Sequence, residues 1–419
     1  MKWRVLARLV RQSLWSRRAA VAFVVLAVAV SSVLYLSVER LRSGARASFA
    51  ATVSGTDLIV GGRSGGVQLL LYSVFRIGNA TNDITWNSVE AIRAIPDVTW
   101  TVPISLGDSH RGYRVVGTTS DYFERYRYGR DRALELAEGK RFEDLFDVVL
   151  GAEVARELGY QLGERIVVAH GLGRAGLVEH DDLPFTVSGI LAPTGTPVDR
   201  SVHVSLEAIT AIHVDWSSGA RARQTTPAET LRAMDHQPDR VTALLVGVKS
   251  PLRTFRVARA INEYRREPLL AVLPGVALQE LWSVIGVAER ALAAVSIMVV
   301  LTALVGLVAT VLASLDARRR EIAILRTLGA SPLAIAGLLV AETVAVAVVG
   351  VALGYAIVLG FEPIVSDWLQ ATYGLDVTGA LSLRDAAVVG AILLAAILAG
   401  LLPAWRAYRM SAGEGLGSS

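Results

Sequence analysis

The sequence predicts an α-helical membrane protein, a four-span bundle arranged as one span followed by three, with a large exported α+β domain. Apolar residues make up 53% of the 419 residues and are concentrated in four runs, at 19–38, 291–315, 333–360 and 386–402. The long interval 39–283 instead alternates strand and helix patterns, as a water-exposed domain does. We therefore expect one domain to be inserted between the first and second spans.

The first run is long enough to cross a bilayer, because a helix over 19–38 measures about 30 Å. Residues 1–18 interleave basic side chains with apolar ones, including Trp3 and Trp15, which predicts an amphipathic helix at the cytoplasmic membrane interface. A cleaved signal peptide is the alternative. The apolar run exceeds a typical signal core, so an uncleaved anchor is favoured.

Charge predicts the orientation, since cytoplasmic loops are enriched in Lys and Arg. Residues 1–18 contain six basic residues and no acidic one, segment 316–331 contains four arginines, and tail 404–419 contains two more. Loop 361–385 has a single arginine against four acidic residues. Both termini and 316–331 are therefore expected in the cytoplasm, and loop 361–385 outside. The remaining segments are a stalk with the second span at 284–315, the third span at 332–360 and the fourth at 386–403.

Within the exported domain, strand and helix patterns occur in two groups. A β-α-β-β group ends near residue 117, and a β-α-β group begins near residue 241. Together they predict one mixed core domain with a β-rich module inserted at about 121–240. The glycine-rich stretch 61–66 is expected to form a flexible turn.

The sequence excludes several function classes. It contains no cysteine, no GxSxG or HExxH motif and no phosphate-binding loop, so neither a catalytic set nor an ATP site is expected. Without cysteines the exported domain has no disulfides and must be stabilised by its core. The net charge of +4 does not call for nucleic acid as a partner.

All six histidines fall in the exported domain, several beside aspartate or glycine. Imidazole with carboxylate suits zinc or copper, but the spacing matches no closed metal motif, so we expect no metal site. If a site existed, the candidates would be His110, His170, His180, His203 and His213.

The third run carries three residues suited to helix packing. Glu342 lies ten residues beyond Pro332, inside the membrane, where an acid must face other helices. A structural hydrogen-bond partner within the bundle is favoured over a proton or ion site, because no second buried charge accompanies it. Gly350 and Gly354 form a GxxxG face that suits close packing against another span, including one of a second copy.

Segment 316–331, DARRREIAILRTLGAS, predicts a short helix with defined ends between two spans. Asp316 can cap its start and Gly329 suits a left-handed stop. Ser331 and Pro332 suit the start of the next helix. Its apolar face needs a partner to pack against. Arginines that bind lipid phosphates would explain the charge, but not that face or the caps.

Several motifs together resemble the FtsX-like, macrolide-exporter-type ABC permeases, also called type VII exporters. DARRREIAILRTLGAS with Glu342 and the glycine pair looks like the family's second-to-third-span signature, and GLLPAWRAYRMS at 400–411 is similar to its closing motif. Residues 147–164 and 186–191 look like its exported core domain. The resemblance covers nearly the whole chain.

The resemblance implies a multi-pass protein of the bacterial inner membrane that binds two copies of a separate cytoplasmic ABC ATPase. ATP and Mg would sit on that ATPase, and this chain would bind no cofactor. A second permease copy is implied, together with an exported binding or adaptor protein and membrane lipid. Coupling to the ATPase would fall to Arg318, Arg319, Arg320, Glu321, Ile322, Leu325, Arg326 and Leu328.

The implied function is movement of the exported domain driven by the partner's ATP hydrolysis, acting on a lipoprotein, lipid, peptide or drug-like molecule. Two alternatives stay open. One is a transmembrane signalling scaffold that activates an exported enzyme without transport. The other, suggested by the histidines, is a metal-linked transport system.

Overall fold

The computed structural model describes residues 10–12, 14–15, 17–52, 54–129, 131–171, 180–216, 226–317, 324, 326–327, 329–373 and 383–409. The chain divides into two compact units. The helical unit comprises Met1–Gly44, Gly286–Asp367 and Val377–Ser419, and the α/β unit comprises Ala45–Ile285 and Trp368–Asp376.

The α/β unit is built on one mixed sheet of 11 strands. Its strands run in the order β15-β1-β14-β3-β4-β12-β8-β11-β7, while β10 pairs with β3 and β9 with β11. The strands are β1 Leu58–Gly62, β3 Val98–His110, β4 Tyr113–Thr118, β7 Leu136–Gly139, β8 Asp147–Leu150, β9 Arg165–Ile166, β10 Ala169–His170, β11 Phe185–Leu191, β12 Ser201–Ser205, β14 Ala243–Val248 and β15 Leu269–Val272. Four short strands form two separate pairs, β2 Ile84–Thr85 with β13 Arg240–Val241, and β5 Arg127–Tyr128 with β6 Arg132–Ala133.

Both faces of the sheet are covered in its first half. Along β1, Ile59 packs into one buried cluster while Leu58 and Val60 pack into another, as the alternation of side chains across a strand requires. Helices cover these faces, and the covering helices explain why β1 is apolar at consecutive positions. The helices of this unit are α2 Gly66–Ser73, α3 Trp86–Arg93, α4 Asp121–Arg125, α5 Ala152–Leu158, α6 Leu206–Ile212, α7 Ala228–Ala233 and α8 Pro251–Asn262, with 3-10 turns at Pro197–Arg200 and Val214–Trp216.

Most strands of the inserted segment join the core sheet. Strand β12 pairs in parallel with β4 and antiparallel with β8, so β7 to β12 extend that sheet, whereas β5 and β6 form a separate pair. A third buried cluster fills this half. The β-α-β-β and β-α-β groups are present, and β7 to β12 between them belong to the same sheet, which β12 joins at the free edge of β4.

The glycine-rich stretch 61–66 forms a turn only at residues 63–65. Gly61 and Gly62 belong to β1, where Gly61 pairs with β14 and β15 and Gly62 with β15. A Cβ on Gly61 would lie 2.6 Å from a Leu69 methyl and 2.7 Å from the Tyr72 hydroxyl oxygen. Glycine is needed here because α2 packs directly onto the strand.

Four long helices run through the helical unit: α1 Arg18–Thr52, α9 Pro274–Ala317, α10 Pro332–Tyr373 and α11 Leu383–Arg409. Each contributes to one buried cluster, for example through Val28, Leu304, Ala347 and Ala396. The third apolar run therefore continues as helix beyond Gly360, into the first part of the segment expected to be an outside loop.

Three helical stretches of the described chain are long and apolar enough to cross a membrane: Arg18–Gly44, Pro274–Thr310 and Pro332–Ser366. The fourth apolar stretch, Val389–Leu402, is shorter. Arg384 and Asp385 on one side and Arg406 on the other limit the apolar run. The expected count of four spans is therefore supported by length and composition for three.

Helices α1 and α10 pack in parallel. The contacts advance in step along both, from Arg17 with Glu342 through Val28 with Gly350 to Arg40 with Tyr355. The first residues of both helices thus lie at the same end of the helical unit. The chain crosses the bundle once in between, through α9.

Candidate functional site

Glu342 is only 2% exposed in the helical unit and pairs with a cation. The Arg17 guanidinium donates from Nη2 to Glu342 Oε2 at 3.0 Å. Arg17 was expected to face lipid headgroups within the interfacial segment 1–18. It instead supplies a charged partner, itself 22% exposed, because a buried carboxylate needs a charged or hydrogen-bonding partner.

Gly350 and Gly354 lie where α10 approaches α1 most closely. A Cβ on Gly350 would lie 2.7 Å from the Val28 Cβ, and one on Gly354 would lie 2.7 Å from the Ala29 carbonyl oxygen. The glycine face therefore packs against the first helix of the same chain. Backbone contact of this kind requires residues without side chains.

A second set of charges lies at the other end of these helices, and the sequence analysis did not anticipate it. The Arg40 guanidinium pairs with Glu362 and also donates to the Tyr355 hydroxyl oxygen at 3.3 Å. Arg42 donates to Glu39 at 2.6 Å. The sequence signal for these ion pairs is the presence of acidic and basic residues just beyond the apolar runs. That signal was interpreted only as evidence for the orientation of the chain in the membrane.

Most of the predicted coupling residues, namely Arg318, Arg319, Arg320, Glu321, Ile322, Leu325 and Leu328, lie outside the described residues. Arg326 is described, and its Nη2 donates to the Tyr408 carbonyl oxygen at 3.4 Å. Gly329 has φ +93°, which confirms the left-handed stop. The Ser331 hydroxyl oxygen accepts from the Ala334 amide at 3.2 Å, which confirms the cap before α10.

In the α/β unit, three histidines and one aspartate converge. One potential ligand atom from each of Asp108, His170, His180 and His213 lies within 4.8 Å of all the others. His170 Nδ1 is 2.9 Å from His213 Nε2 and 3.1 Å from Asp108 Oδ1. His213 Nε2 is 3.7 Å from the same carboxylate oxygen. Asp108 was not among the sequence candidates.

Backbone pairing brings these residues together. Asp108 on β3 and His170 on β10 are directly opposite each other in an antiparallel register. His180 is held near them because its amide donates to the Val168 carbonyl oxygen at 2.9 Å. His213 ends α6, and its Nδ1 contacts the Ile209 carbonyl oxygen at 2.6 Å.

The surroundings of the cluster shift the pKa values of His170 and His180 in opposite directions. The hydrogen bond to Asp108 raises the pKa of His170 above its usual value. Burial lowers the pKa of His180, and the neighbouring His213 acts in the same direction. The Trp216 ring stacks on His170 with a centroid separation of 6.1 Å and an interplanar angle of 8°.

The other two metal candidates lie elsewhere. His110 contacts the Val167 carbonyl oxygen through Nδ1 at 2.6 Å and the Tyr160 hydroxyl through Nε2 at 3.0 Å. His203 is fully buried and stacks on Tyr122. Burial lowers the pKa of His203 to about 3, so it is a neutral core residue.

A second polar cluster in the α/β unit was not anticipated. Glu153 on α5 pairs with Arg200, and the Tyr113 hydroxyl donates to Glu157 one turn further along. Burial raises the pKa of Glu153 to about 7, although Arg200 acts in the opposite direction. Glu153 therefore titrates near neutral pH.

Two family models match the chain. The one described as MacB-like periplasmic core domain matches residues 19–264, and the one described as FtsX-like permease C-terminal matches residues 293–412. No curated protein matches the sequence.

Two solved structures are similar to parts of the chain. The periplasmic region of MacB from Actinobacillus actinomycetemcomitans has 12% identity and a TM-score of 0.34, over 55% of this chain and 94% of that one. The extracellular domain of the noncanonic ABC-type transporter YknZ from Gram-positive bacteria has 13% identity and a TM-score of 0.31, over 52% of this chain and 99% of that one.

Proposed function

The chain belongs to the family of MacB-like and FtsX-like ABC transporter permeases, and from that premise we propose a specific role for it. It is the permease subunit that couples ATP hydrolysis by a separate cytoplasmic ATPase to movement of its α/β unit. The observation that carries this proposal is the order of the two matches along one chain. A periplasmic core domain precedes a permease region, with the basic segment 316–331 between α9 and α10.

The packing of α1 and α10 supports the orientation that coupling requires. Because these helices are parallel, their first residues, Arg18 and Pro332, lie at the same end of the helical unit, and segments 1–18 and 316–331 lead into them in the sequence. Both of these segments are rich in arginine. The positive-inside rule places that end in the cytoplasm, where an ATPase can reach it.

The ends of the coupling segment support transmission of force. Gly329 and the Ser331 cap join Arg326 to the start of α10 over a few residues. A short, capped connection of this kind transfers motion better than a long loop. The predicted apolar face of Ile322, Leu325 and Leu328 would contact the ATPase, with the arginines beside it.

We include α11 as the fourth span, which gives both termini a cytoplasmic location in the inner membrane. Its helix has 27 residues, or about 40 Å, which exceeds the hydrocarbon thickness. The charged residues flanking Val389–Leu402 would then reach the interfaces by extending their side chains. The working unit would be two permease copies with two ATPase copies, acting on an amphipathic or envelope molecule.

The proposal is tested by charge reversal in the coupling segment. The chain is purified from its own membranes together with the ABC ATPase bound to it, and ATP hydrolysis is measured in lipid vesicles. Arg326→Glu or Leu325→Asp is expected to lower permease-dependent ATP hydrolysis at least tenfold, because each places a charge of the wrong kind against the partner.

The matched control is Arg11→Glu, which reverses an exposed charge in the N-terminal segment. It is expected to leave hydrolysis within about twofold of the unaltered chain, since a change in a peripheral exposed charge alters association only modestly. Recovery of no ABC ATPase with the chain, or equal hydrolysis in all variants, would contradict the proposal.

A further inference from the structure

The four convergent side chains Asp108, His170, His180 and His213 come from separate parts of the α/β unit but share one location. Asp108 and His180 are 2% and 1% exposed, and the His170 side chain is 54% exposed. The cluster thus has a buried base, while His170 is open to solvent and the His213 side chain is 27% exposed. Within the described chain it is the one group of this kind.

The hydrogen bonds of the cluster indicate which ring nitrogens carry a proton and which keep a free lone pair. His213 Nδ1 lies 2.6 Å from a carbonyl oxygen, which can only accept, so Nδ1 carries the proton. His213 Nε2 is therefore a bare acceptor, fixed in direction by that hydrogen bond. Backbone carbonyls orient the ring in this way in metal-binding histidines.

His170 can satisfy only one of its two neighbours. A single proton on His170 Nδ1 would serve either Asp108 Oδ1 at 3.1 Å or His213 Nε2 at 2.9 Å. His180 Nε2 is buried and has no hydrogen-bond partner among the described residues. Buried polar atoms left in this state cost free energy unless something else binds them.

A hydrogen-bonded cluster without an ion would account for His170 and Asp108 but not for His180. The fully buried His203 also has an unpartnered Nε2, and it provides a contrast. It is surrounded by the aromatic rings of Tyr122 and Phe123, with no second ligand directed at it. At the cluster, by contrast, potential ligand atoms of four side chains lie within 4.8 Å of one another.

The ligand set and spacing select the class of ion. Imidazole suits zinc, copper, iron and nickel, whereas magnesium and calcium prefer all-oxygen sites. Four ligands at about 2.0–2.1 Å from a tetrahedral zinc ion are about 3.4 Å apart. The measured separations of 2.9, 3.1 and 3.7 Å bracket that value. Closing the widest pair, 4.8 Å at most, needs small side-chain shifts.

We propose that Asp108, His170, His180 and His213 bind one divalent transition-metal ion of the zinc class, in a site closed by four protein ligands. Four protein ligands are typical of structural zinc. The ion would fasten the two-residue strand β10 and the end of α6 to β3. The inference is independent of the transport proposal, because it concerns the α/β unit alone.

The test uses the full-length chain in detergent, stripped of metal, with Zn²⁺ titrated against a chromophoric chelator. We expect one tightly bound ion per chain that excess Mg²⁺ does not displace. His170→Ala with His213→Ala is expected to weaken Zn²⁺ binding at least a hundredfold, because two of four ligands are lost. The exposed single variant His170→Ala, which leaves the core untouched, is expected to weaken it at least tenfold.

The matched control is His110→Gln, which removes an imidazole two residues from Asp108 but outside the cluster, and is expected to keep the affinity. Co²⁺ bound to the unaltered chain should give the intense visible absorption of a tetrahedral ion, and this should vanish in the double variant. Zn²⁺ binding that is absent, or equally tight in the double variant, overturns the proposal.

Discussion

At the scale of single residues, the sequence located buried polar groups but not their partners. Glu342 was expected to face a polar group within the bundle, because an unpaired acid in the membrane is too costly. Its partner Arg17 is 325 positions away, and no local pattern indicates which side chain a folded chain will bring there. The same holds for Asp108, which joins the histidines only because β10 pairs with β3.

Glu153 gives a prediction about pH at this scale. Because its pKa in the folded chain is about 7 against an ordinary 4.5, the folded state binds more protons than the unfolded one between those values. The free energy of unfolding therefore falls as pH rises through that window. We expect Glu153→Gln to remove about 1–2 kcal/mol of this decline, less than the full shift, because water reaches Arg200 beside it.

The check is the melting temperature of the α/β unit, measured in the full chain at several pH values from 5 to 8. The unaltered chain should lose more stability over that range than Glu153→Gln does. All other titratable groups are the same in both chains, so their contributions cancel in the comparison. If the melting temperatures of the two chains changed with pH by the same amount, ionisation of Glu153 would have no effect on stability.

At the scale of elements, the alternation of apolar and polar residues and the apolar runs predicted most strands and helices. They did not predict which strands pair with each other. Strand β4 ends at Thr118 and β14 begins at Ala243, close to the limits that the sequence patterns indicated for the two groups. Nothing in the pattern of β12 specifies that β4 is its neighbour, so the inserted segment was expected to form its own module. Short strands such as β10 are defined by the partner they pair with rather than by their own two residues.

The glycine face of α10 gives a prediction about helix packing. Gly354→Ile is expected to destabilise the helical unit by about 2 kcal/mol or more, because its side chain would meet the Ala29 carbonyl oxygen and the Ser32 Cβ. Gly360→Ile on the same helix is the control, since no described atom lies within 4 Å of its Cβ position. Thermal unfolding of the purified chain in one detergent compares the two. Equal unfolding midpoints for the two variants would show that α1 and α10 do not contact each other at Gly354.

At the scale of the whole molecule, composition and charge predicted more than they did at the finer scales. Division into a helical and an α/β unit follows from the four apolar runs and the interval between the first two. The family matches agree with that division. The number of spans was less predictable, because a run bracketed by charges, such as that of α11, satisfies a length rule only in part.

The absence of cysteine makes the orientation directly testable. Thr81→Cys lies on an exposed part of the α/β unit, and Thr327→Cys lies exposed near the start of α10. A membrane-impermeant maleimide should label the first in intact spheroplasts and the second only after the membrane is opened, because charged reagents do not cross the bilayer. Labelling of Thr327→Cys from outside would reverse the proposed orientation.

The parallel pair α1 and α10 has a mechanical consequence. An ion pair joins the two helices at each end, Arg17 with Glu342 and Arg40 with Glu362. Between these ends, Gly350 and Gly354 allow close contact of the two helices. Sliding one helix along the other by a single turn would break both ion pairs and bring other side chains between the two helices at Gly350 and Gly354. The two helices are thus held as one rigid pair, because relative sliding is opposed at both ends and in the middle.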